Sequence, residues 1–260
     1  MRVAVLASGS RGNATYVESA DTRLLLDAGC GPRTIRRRLR SLLGSVPDRL
    51  DAVIVTHAHG DHAGYAEAAA ASFGAPLYVT SPTRRQLGLA EGRARPYGPN
   101  APLQLGALSV RALALPHDCP QVALIVEDCR DRVALVTDLG RIPATIVPEL
   151  QECTALLLES NHDPAMLAGG PYPPFLKERV ASEVGHLSNG QAAELLCCLG
   201  TALRCVVLMH LSQTNNRPEL ALAAAKAALR SPGTRVAAAH QSTPLAIDTS
   251  PPSQLGLGFA

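Results

Sequence analysis

The chain of 260 residues contains no tryptophan, and aromatic residues make up only 3% of it. With so few rings, extensive stacking of nucleobases on aromatic side chains, as in single-strand binding proteins, is not expected. The net charge is also small, because 24 Lys and Arg are nearly balanced by 22 Asp and Glu. The resulting net charge of +2 is too small to mark an obligate nucleic-acid binder, although it does not repel a polyanion.

Long apolar segments and regularly spaced cysteines are missing too. No apolar run approaches the roughly 18 residues of a membrane-spanning helix, and the N-terminal region lacks the features of a signal peptide. We therefore expect a cytoplasmic protein with no membrane partner. The seven cysteines are odd in number and contain no Cys-x-x-Cys pair, which argues against a disulfide framework or a zinc ribbon.

The chain does contain enough hydrophobic residues, 47%, for a substantial core. Short runs such as "RVAVLA" and "VALIVE" predict strands, and they alternate with helical patterns such as "GPRTIRRRLRSLLG", in which Ile35 and Leu39 share one face. Ser188 and Gln191 have the spacing of a capping box at a helix start. No linker divides residues 1–247, so we expect one α/β domain followed by a flexible tail over residues 248–260.

Polar side chains collect directly after the predicted strands. The run "VIVTHAHGDH" places His57, His59, Asp61 and His62 in six residues at the end of a strand. Four further candidates follow later strands, namely His117, Asp138, His186 and His210. Imidazoles and carboxylates packed together need a cation to offset their desolvation and repulsion, so the cluster favours a metal site over isolated caps. Nitrogen and oxygen donors suit Zn²⁺, Mn²⁺ or Fe²⁺.

These motifs resemble those of a known family. "THAHGDH" resembles the HxHxDH signature of the metallo-β-lactamase superfamily, and "LLLDAG", "PHD", "VTDLG" and "MHLS" resemble its other motifs in order. "SGSRGN", "ESNHD" and "HLSQTNN" resemble the YycJ/WalJ branch, whose members are described as DNA 5′→3′ exonuclease-like hydrolases. The resemblance implies a four-layer αββα sandwich, in which two mixed β-sheets are flanked by helices.

The resemblance also implies two divalent transition-metal ions, with Zn or Mn expected and Fe as a further option. One ion would be held by His57, His59 and His117. The second would be held by Asp61, His62 and His210, with Asp138 bridging both.

Three further roles are predicted around these ligands. The predicted catalytic residues are Asp61, Glu159 and His186. His186 would protonate a leaving group while Glu159 orients it, and the alternative is that His186 caps the helix near Ser188. Asp27 would orient a ligand histidine from behind, and the alternative is a turn cap after a strand.

The expected function is that of a metal-dependent phosphodiester hydrolase, in particular a DNA 5′→3′ exonuclease. Arg36, Arg37 and Arg40 are expected to contact substrate phosphates, and the alternative is a solvated helix face. The interval between Asp138 and His210 is too short for an inserted lid domain, so we expect an open site. Two other functions stay open: a small-molecule hydrolase acting on a thioester, lactone or cyclic phosphodiester, and a metal-stabilised regulatory or scaffold protein with a vestigial site.

Overall fold

The computed structural model of the protein describes residues 1–249, and within these residues it contains fourteen strands and nine helices. The strands are β1 (Arg2–Ala7), β2 (Ala14–Ser19), β3 (Thr22–Leu26), β4 (Ala52–Ile54), β5 (Leu77–Val79), β6 (Arg95–Pro96), β7 (Leu103–Leu105), β8 (Leu108–Leu115), β9 (Gln121–Glu127), β10 (Arg132–Val136), β11 (Ala155–Glu159), β12 (Cys205–Met209), β13 (Arg235–Ala238) and β14 (Leu245–Asp248). The helices are α1 (Pro32–Leu43), α2 (Gly60–Ala63), α3 (Ala66–Ser72), α4 (Ser81–Gln86), α5 (Ile146–Leu150), α6 (Pro164–Gly169), α7 (Pro174–Ala181), α8 (Asn189–Cys198) and α9 (Pro218–Ala228).

The strands form two seven-stranded mixed sheets. Their orders are β14-β1-β2-β3-β4-β5-β6 and β13-β12-β11-β10-β9-β8-β7. In the first sheet β3 to β6 run parallel, and in the second sheet β10 to β13 run parallel, while the other neighbours are antiparallel. Because the carboxyl ends of parallel strands lie at one edge of a sheet, the polar residues that follow them meet there.

Three apolar clusters define four layers. The cluster between the two sheets includes Ile54 and Leu124, which are fully buried. A second cluster joins the first sheet to α1 and α3 through Ile35, Leu39 and Phe73, and a third joins the second sheet to α5, α8 and α9. The αββα sandwich predicted above is therefore confirmed.

Several local predictions hold as well. In α1, Ile35 and Leu39 are the buried apolar residues. Ser188 is the N-cap of α8, and its side chain and that of Gln191 form the predicted capping box. None of the helices in residues 1–249 is long and apolar enough to cross a lipid bilayer.

The predicted tail over residues 248–260 begins too early. Strand β14 pairs antiparallel with β1 through Asp248, and Ile247 is buried. The next residue, Thr249, donates its hydroxyl to the carbonyl of Met1. The short "LAID" segment lacks a clear strand pattern, and only its partner strand makes it a strand. Residues 250–260 lie outside the described residues.

Candidate metal centre

The loops that follow β3, β4, β10 and β12 meet at one end of the two sheets. Three of the predicted site residues in these loops have left-handed backbone conformations: Asp27 with φ 58°, Asp138 with φ 60° and His210 with φ 54°. Each lies within two residues of the end of a strand. Such conformations are uncommon outside glycine, cost about 1–3 kcal/mol each, and cluster at functional sites.

The first group of donors is His57, His59 and His117, whose donor atoms lie within 4.8 Å of one another together with that of Cys119. His59 Nδ1 and His117 Nε2 are 3.3 Å apart. Burial raises the pKa of the Cys119 thiol to about 11, so this thiol stays protonated at neutral pH.

The second group is Asp61, His62 and His210, also within 4.8 Å of one another. Asp61 Oδ2 is 3.2 Å from His210 Nε2 and 3.7 Å from His62 Nε2. Asp138 lies between the groups, because its donor atom is close to those of both His57 and His62, and its Oδ2 is 3.0 Å from His62 Nε2. The structure thus brings together all seven side chains predicted as ligands.

Orphaned polar atoms show that this donor set fits divalent cations. His57 Nε2 and His117 Nδ1 are buried and have no hydrogen-bond partner among the described residues, and the buried Asp138 Oδ2 faces His62 Nε2 at 3.0 Å. Burial, followed by the neighbouring His62, lowers the pKa of His57 to about 2, which keeps its ring neutral with a free lone pair. Burial favours a neutral Asp138, but His210 and His62 hold the pKa of Asp138 well below its usual range. A neutral imidazole and an ionised carboxylate are the forms that bind Zn²⁺, Mn²⁺ or Fe²⁺.

Two carboxylates, Asp27 and Asp118, contact ring nitrogens of histidines in the two donor groups. Asp27 Oδ2 is 2.7 Å from His62 Nδ1, while its Oδ1 accepts the backbone N–H of Thr56. Asp27 therefore contacts one of the predicted ligand histidines, in line with the prediction, and it also binds the N–H group of Thr56 just after β4. Asp118, which was not predicted from the sequence, lies with its Oδ1 3.1 Å from His59 Nε2. Its position next to His117 in "PHD" was the available signal.

His186 contacts Glu159, as predicted. Its Nδ1 is 2.9 Å from Glu159 Oε1, and the other carboxylate oxygen accepts the backbone N–H groups of Leu139 and Leu187. Burial alone would raise the pKa of Glu159, but His186 and the hydrogen bonds lower it to about 2. The helix-cap alternative for His186 is wrong, because Ser188 occupies that position.

Asn13 is a second residue that sequence reasoning missed. Its Nδ2 lies 2.9 Å from His62 Nε2 and 3.4 Å from Asp61 Oδ2, and its Oδ1 accepts the backbone N–H of Gly9. The "SGSRGN" motif contains Asn13, but nothing local indicates that it meets residues almost fifty positions later.

The predicted phosphate-binding arginines lie on α1, away from these contacts. Arg36 donates to the hydroxyl and carbonyl of Ser72, and its guanidinium lies 4.1 Å from the ring centre of Phe73. Arg37 and Arg40 are exposed. Within residues 1–249 none of the three forms a hydrogen bond or ion pair with a residue of the two donor groups.

Comparison with known proteins agrees with this geometry. A family model described as "Beta-lactamase superfamily domain" matches residues 22–211. Exodeoxyribonuclease WalJ of Streptococcus pneumoniae is 32% identical over 233 residues, which cover 85% of this chain and 85% of that protein. Exodeoxyribonuclease YycJ of Bacillus anthracis is 29% identical over 236 residues, covering 85% and 86%.

A solved structure adds support for the fold. The metallo-beta-lactamase fold protein YhfI of Bacillus subtilis superposes with a TM-score of 0.71 at 21% identity, covering 94% of this chain and 98% of the other. Taken with the family match and the two clusters of histidine and carboxylate donors, these similarities establish that the chain belongs to the metallo-β-lactamase superfamily and is a metal-dependent hydrolase.

Proposed function

We propose that the protein is a dinuclear-metal phosphodiesterase that degrades DNA from the 5′ end. The observation that carries the proposal is the position of Asp138 between two three-residue donor groups, since one tetrahedral site uses only four ligands. In this proposal His57, His59 and His117 hold one ion, and Asp61, His62 and His210 hold the other. When bound, the ions would polarise a phosphoryl oxygen and supply a hydroxide nucleophile at neutral pH.

In this proposal, other residues of the chain orient the metal ligands and protonate the leaving group. Asp27 orients His62, because it contacts Nδ1 while the opposite nitrogen, Nε2, faces Asp138. Asp118 orients His59 in the same way, because it contacts Nε2 while Nδ1 faces His117. His186 is the proposed general acid. Its Nδ1 is held by Glu159, so its other nitrogen can deliver a proton to a leaving alkoxide.

The rim of the site supports a polymeric substrate. The side chain of His59 is 34% exposed, and those of Asp61 and His186 are 22% exposed, so the donors can be reached from solvent. Small-molecule sites are generally enclosed and mostly apolar. Here the neighbouring exposed residues include Ser10, Arg11 and Arg179, which are polar. This rim favours a phosphodiester in a chain over a thioester or lactone.

The relatives support the choice of DNA, because WalJ and YycJ are exodeoxyribonucleases and match most of this chain. A cytoplasmic location, where chromosomal DNA is found, forms part of the proposal. So does the 5′→3′ polarity.

The test is incubation of metal-reconstituted protein with end-labelled single- and double-stranded DNA and RNA. Bis-p-nitrophenyl phosphate and a thioester serve as small-molecule controls, and Asp138→Ala serves as the inactive variant. Stepwise release of nucleotides from the 5′ end of DNA is expected. Turnover of the thioester without cleavage of any polynucleotide would indicate a small-molecule hydrolase, and no turnover of any substrate would indicate a vestigial site.

A further inference from the structure

The loop between β1 and β2, residues 8–13, lies against the second donor group, and beyond its place in the polar rim it has no assigned contact with substrate. At its start, Ser8 Oγ accepts the backbone N–H of His210 at 2.7 Å. At its end, the Asn13 amide contacts His62 and Asp61. The loop therefore touches this donor group at both of its ends, and its two exposed residues, Ser10 and Arg11, lie in the chain between these contacts.

The conformation of this loop is fixed from within. Gly9 and Gly12 have φ values of 137° and 132°, which side-chain-bearing residues rarely adopt. A Cβ atom at Gly12 would overlap the carbonyl group of Gly29. From beneath, the buried Gln241 accepts the backbone N–H of Arg11 and donates to the carbonyl of Gly12, both at 2.9 Å. The loop is thus held in one shape before any substrate binds.

The tip of the loop presents an unpaired cation. Ser10 and Arg11 are exposed, and the Arg11 guanidinium makes no hydrogen bond or ion pair with any residue of the described chain. Arg11 is two residues from Asn13, so its Cα lies within about 7 Å of the Cα of a residue that touches the donors. By contrast, Arg179, at the opposite donor group, is paired with Asp118.

A guanidinium on a rigid backbone suits a phosphate group. Its parallel N–H donors match two phosphate oxygens, and a hydroxyl from Ser10 can add a third hydrogen bond. Because the backbone is already ordered, binding has to immobilise only the arginine side chain.

We propose that loop 8–13 is a phosphate-binding subsite, in which Arg11 and Ser10 bind the substrate phosphate next to the scissile phosphodiester. The inference rests on the proposed function, because it places the scissile group at the two donor groups. The bound phosphate is either a terminal 5′-phosphate or the neighbouring internal phosphodiester. Both present the same anionic oxygens, and the substrates chosen below distinguish them.

The test compares Arg11→Gln with Arg130→Gln in the metal-loaded protein. Arg130 is also exposed, but it lies beside Asp131, which binds the amino group of Met1 at the opposite end of β1. Both variants remove one positive charge. Loss of a charge-assisted hydrogen bond predicts that Arg11→Gln raises KM for a DNA oligonucleotide about 10- to 100-fold, with metal content unchanged. Arg130→Gln is expected to change KM less than twofold, and Arg11→Lys should restore part of the loss.

The substrates are oligonucleotides with a 5′-phosphate, with a 5′-hydroxyl, and with a neutral methylphosphonate at the phosphate next to the scissile one. If Arg11 binds a terminal phosphate, the 5′-hydroxyl substrate abolishes the difference between parent and Arg11→Gln. If it binds an internal phosphate, the methylphosphonate abolishes the difference.

Other results would overturn the proposal. If Arg11→Gln and Arg130→Gln behave alike on oligonucleotides that the parent cleaves, the subsite is wrong while the proposed function stands. Loss of metal from Arg11→Gln would show that the loop supports the donors instead of binding phosphate. If the parent cleaves no polynucleotide, both proposals fail.

Discussion

At the scale of single residues, Glu159 connects the two parts of the site. Its Oε1 lies 2.9 Å from His186 Nδ1 and 3.1 Å from His210 Nδ1, and it is fully buried. One carboxylate therefore orients both the proposed general acid and a proposed ligand. Removing Glu159 would disturb both, so variants of the two histidines are needed to tell the roles apart.

The first residue-scale prediction concerns His186. A general acid contributes about 10²–10⁴-fold by serving the leaving group, whereas a ligand acts through metal occupancy. His186→Ala is expected to retain both ions and to slow DNA cleavage by that factor, with a much smaller effect on bis-p-nitrophenyl phosphate, whose leaving group needs little protonation. Elemental analysis and steady-state rates on the two substrates measure this.

Each other outcome assigns a different role to His186. Loss of one ion would make it a ligand. Equal slowing on both substrates with the metals retained would make it a residue that positions phosphate.

The second residue-scale prediction concerns the ions themselves. We expect about two transition-metal ions per chain by elemental analysis of protein purified without chelator. Asp138→Ala should lose both ions or nearly all activity, because Asp138 lies between the donor groups. His210→Ala should weaken mainly one ion, since its Nε2 lies 3.2 Å from Asp61 Oδ2, a member of the second donor group. A stoichiometry that stays at or below one after reconstitution contradicts the dinuclear proposal.

At the scale of elements, helix α1 contains two kinds of arginine, those that contact neighbouring elements and those that are exposed. Arg38 is buried and donates to the carbonyl of Leu6, and Arg36 is held by Ser72, so both attach the helix to its neighbours. Arg33, Arg37 and Arg40 are exposed, and of the three arginines predicted to contact phosphate, Arg37 and Arg40 remain able to do so. The structural role of Arg36 was not evident from "RTIRRRLR", because the helix-to-helix contact is tertiary.

The prediction for α1 is tested by measuring how DNA affinity depends on salt concentration. If Arg37 and Arg40 contact DNA phosphates, replacing both by Gln should reduce the slope of log K against log salt by about one unit per contact, for every sequence tested. The control is the double variant Arg130→Gln and Arg230→Gln, which removes the same charge from exposed loop positions outside α1. Equal slopes in parent and variant would show that Arg37 and Arg40 form a solvated helix face and do not contact DNA.

At the scale of the whole molecule, the metal site joins the two sheets. His57, His59, Asp61 and His62 follow strand β4 of the first sheet, whereas His117, Asp138 and His210 follow strands of the second. Ions bound as proposed would therefore cross-link the two sheets of the sandwich. Without the ions, the buried histidines and carboxylates at this junction would lack compensating partners, and this would lower the stability of the folded state.

The whole-molecule prediction is a large thermal effect of metal removal. A ligand at 1,000 times its Kd stabilises the folded state by about 4 kcal/mol, which for a chain of this size raises Tm by roughly 8–16 °C. Thermal unfolding with saturating Zn²⁺ or Mn²⁺ should therefore exceed that with a chelator by this amount. The Asp138→Ala variant is the control, and its Tm should respond much less. A parent Tm that does not respond to metal would contradict a cation held between the sheets.

The fold class and the main elements were predictable because their signals are local. Alternation of apolar residues and Val or Ile content identified β8, β9 and β12, and the spacing of Ile35 and Leu39 identified α1. The short elements α4, α5 and β14 were missed because each has too few residues to show a period. Their conformations depend on neighbours that are distant in sequence.

The chemistry of the site was likewise set by residue type at strand ends. The sequence by itself determined that His57, His59, Asp61 and His62 form a donor cluster, because they lie within six residues. Only the tertiary structure decided that Asn13 and Asp118 join them and that Glu159 contacts two histidines. Those contacts depend on strand order and on left-handed turns after the strands. The packing of the whole sandwich selects the strand order and stabilises the left-handed turns. No short segment alone can offset the free-energy cost of these turns.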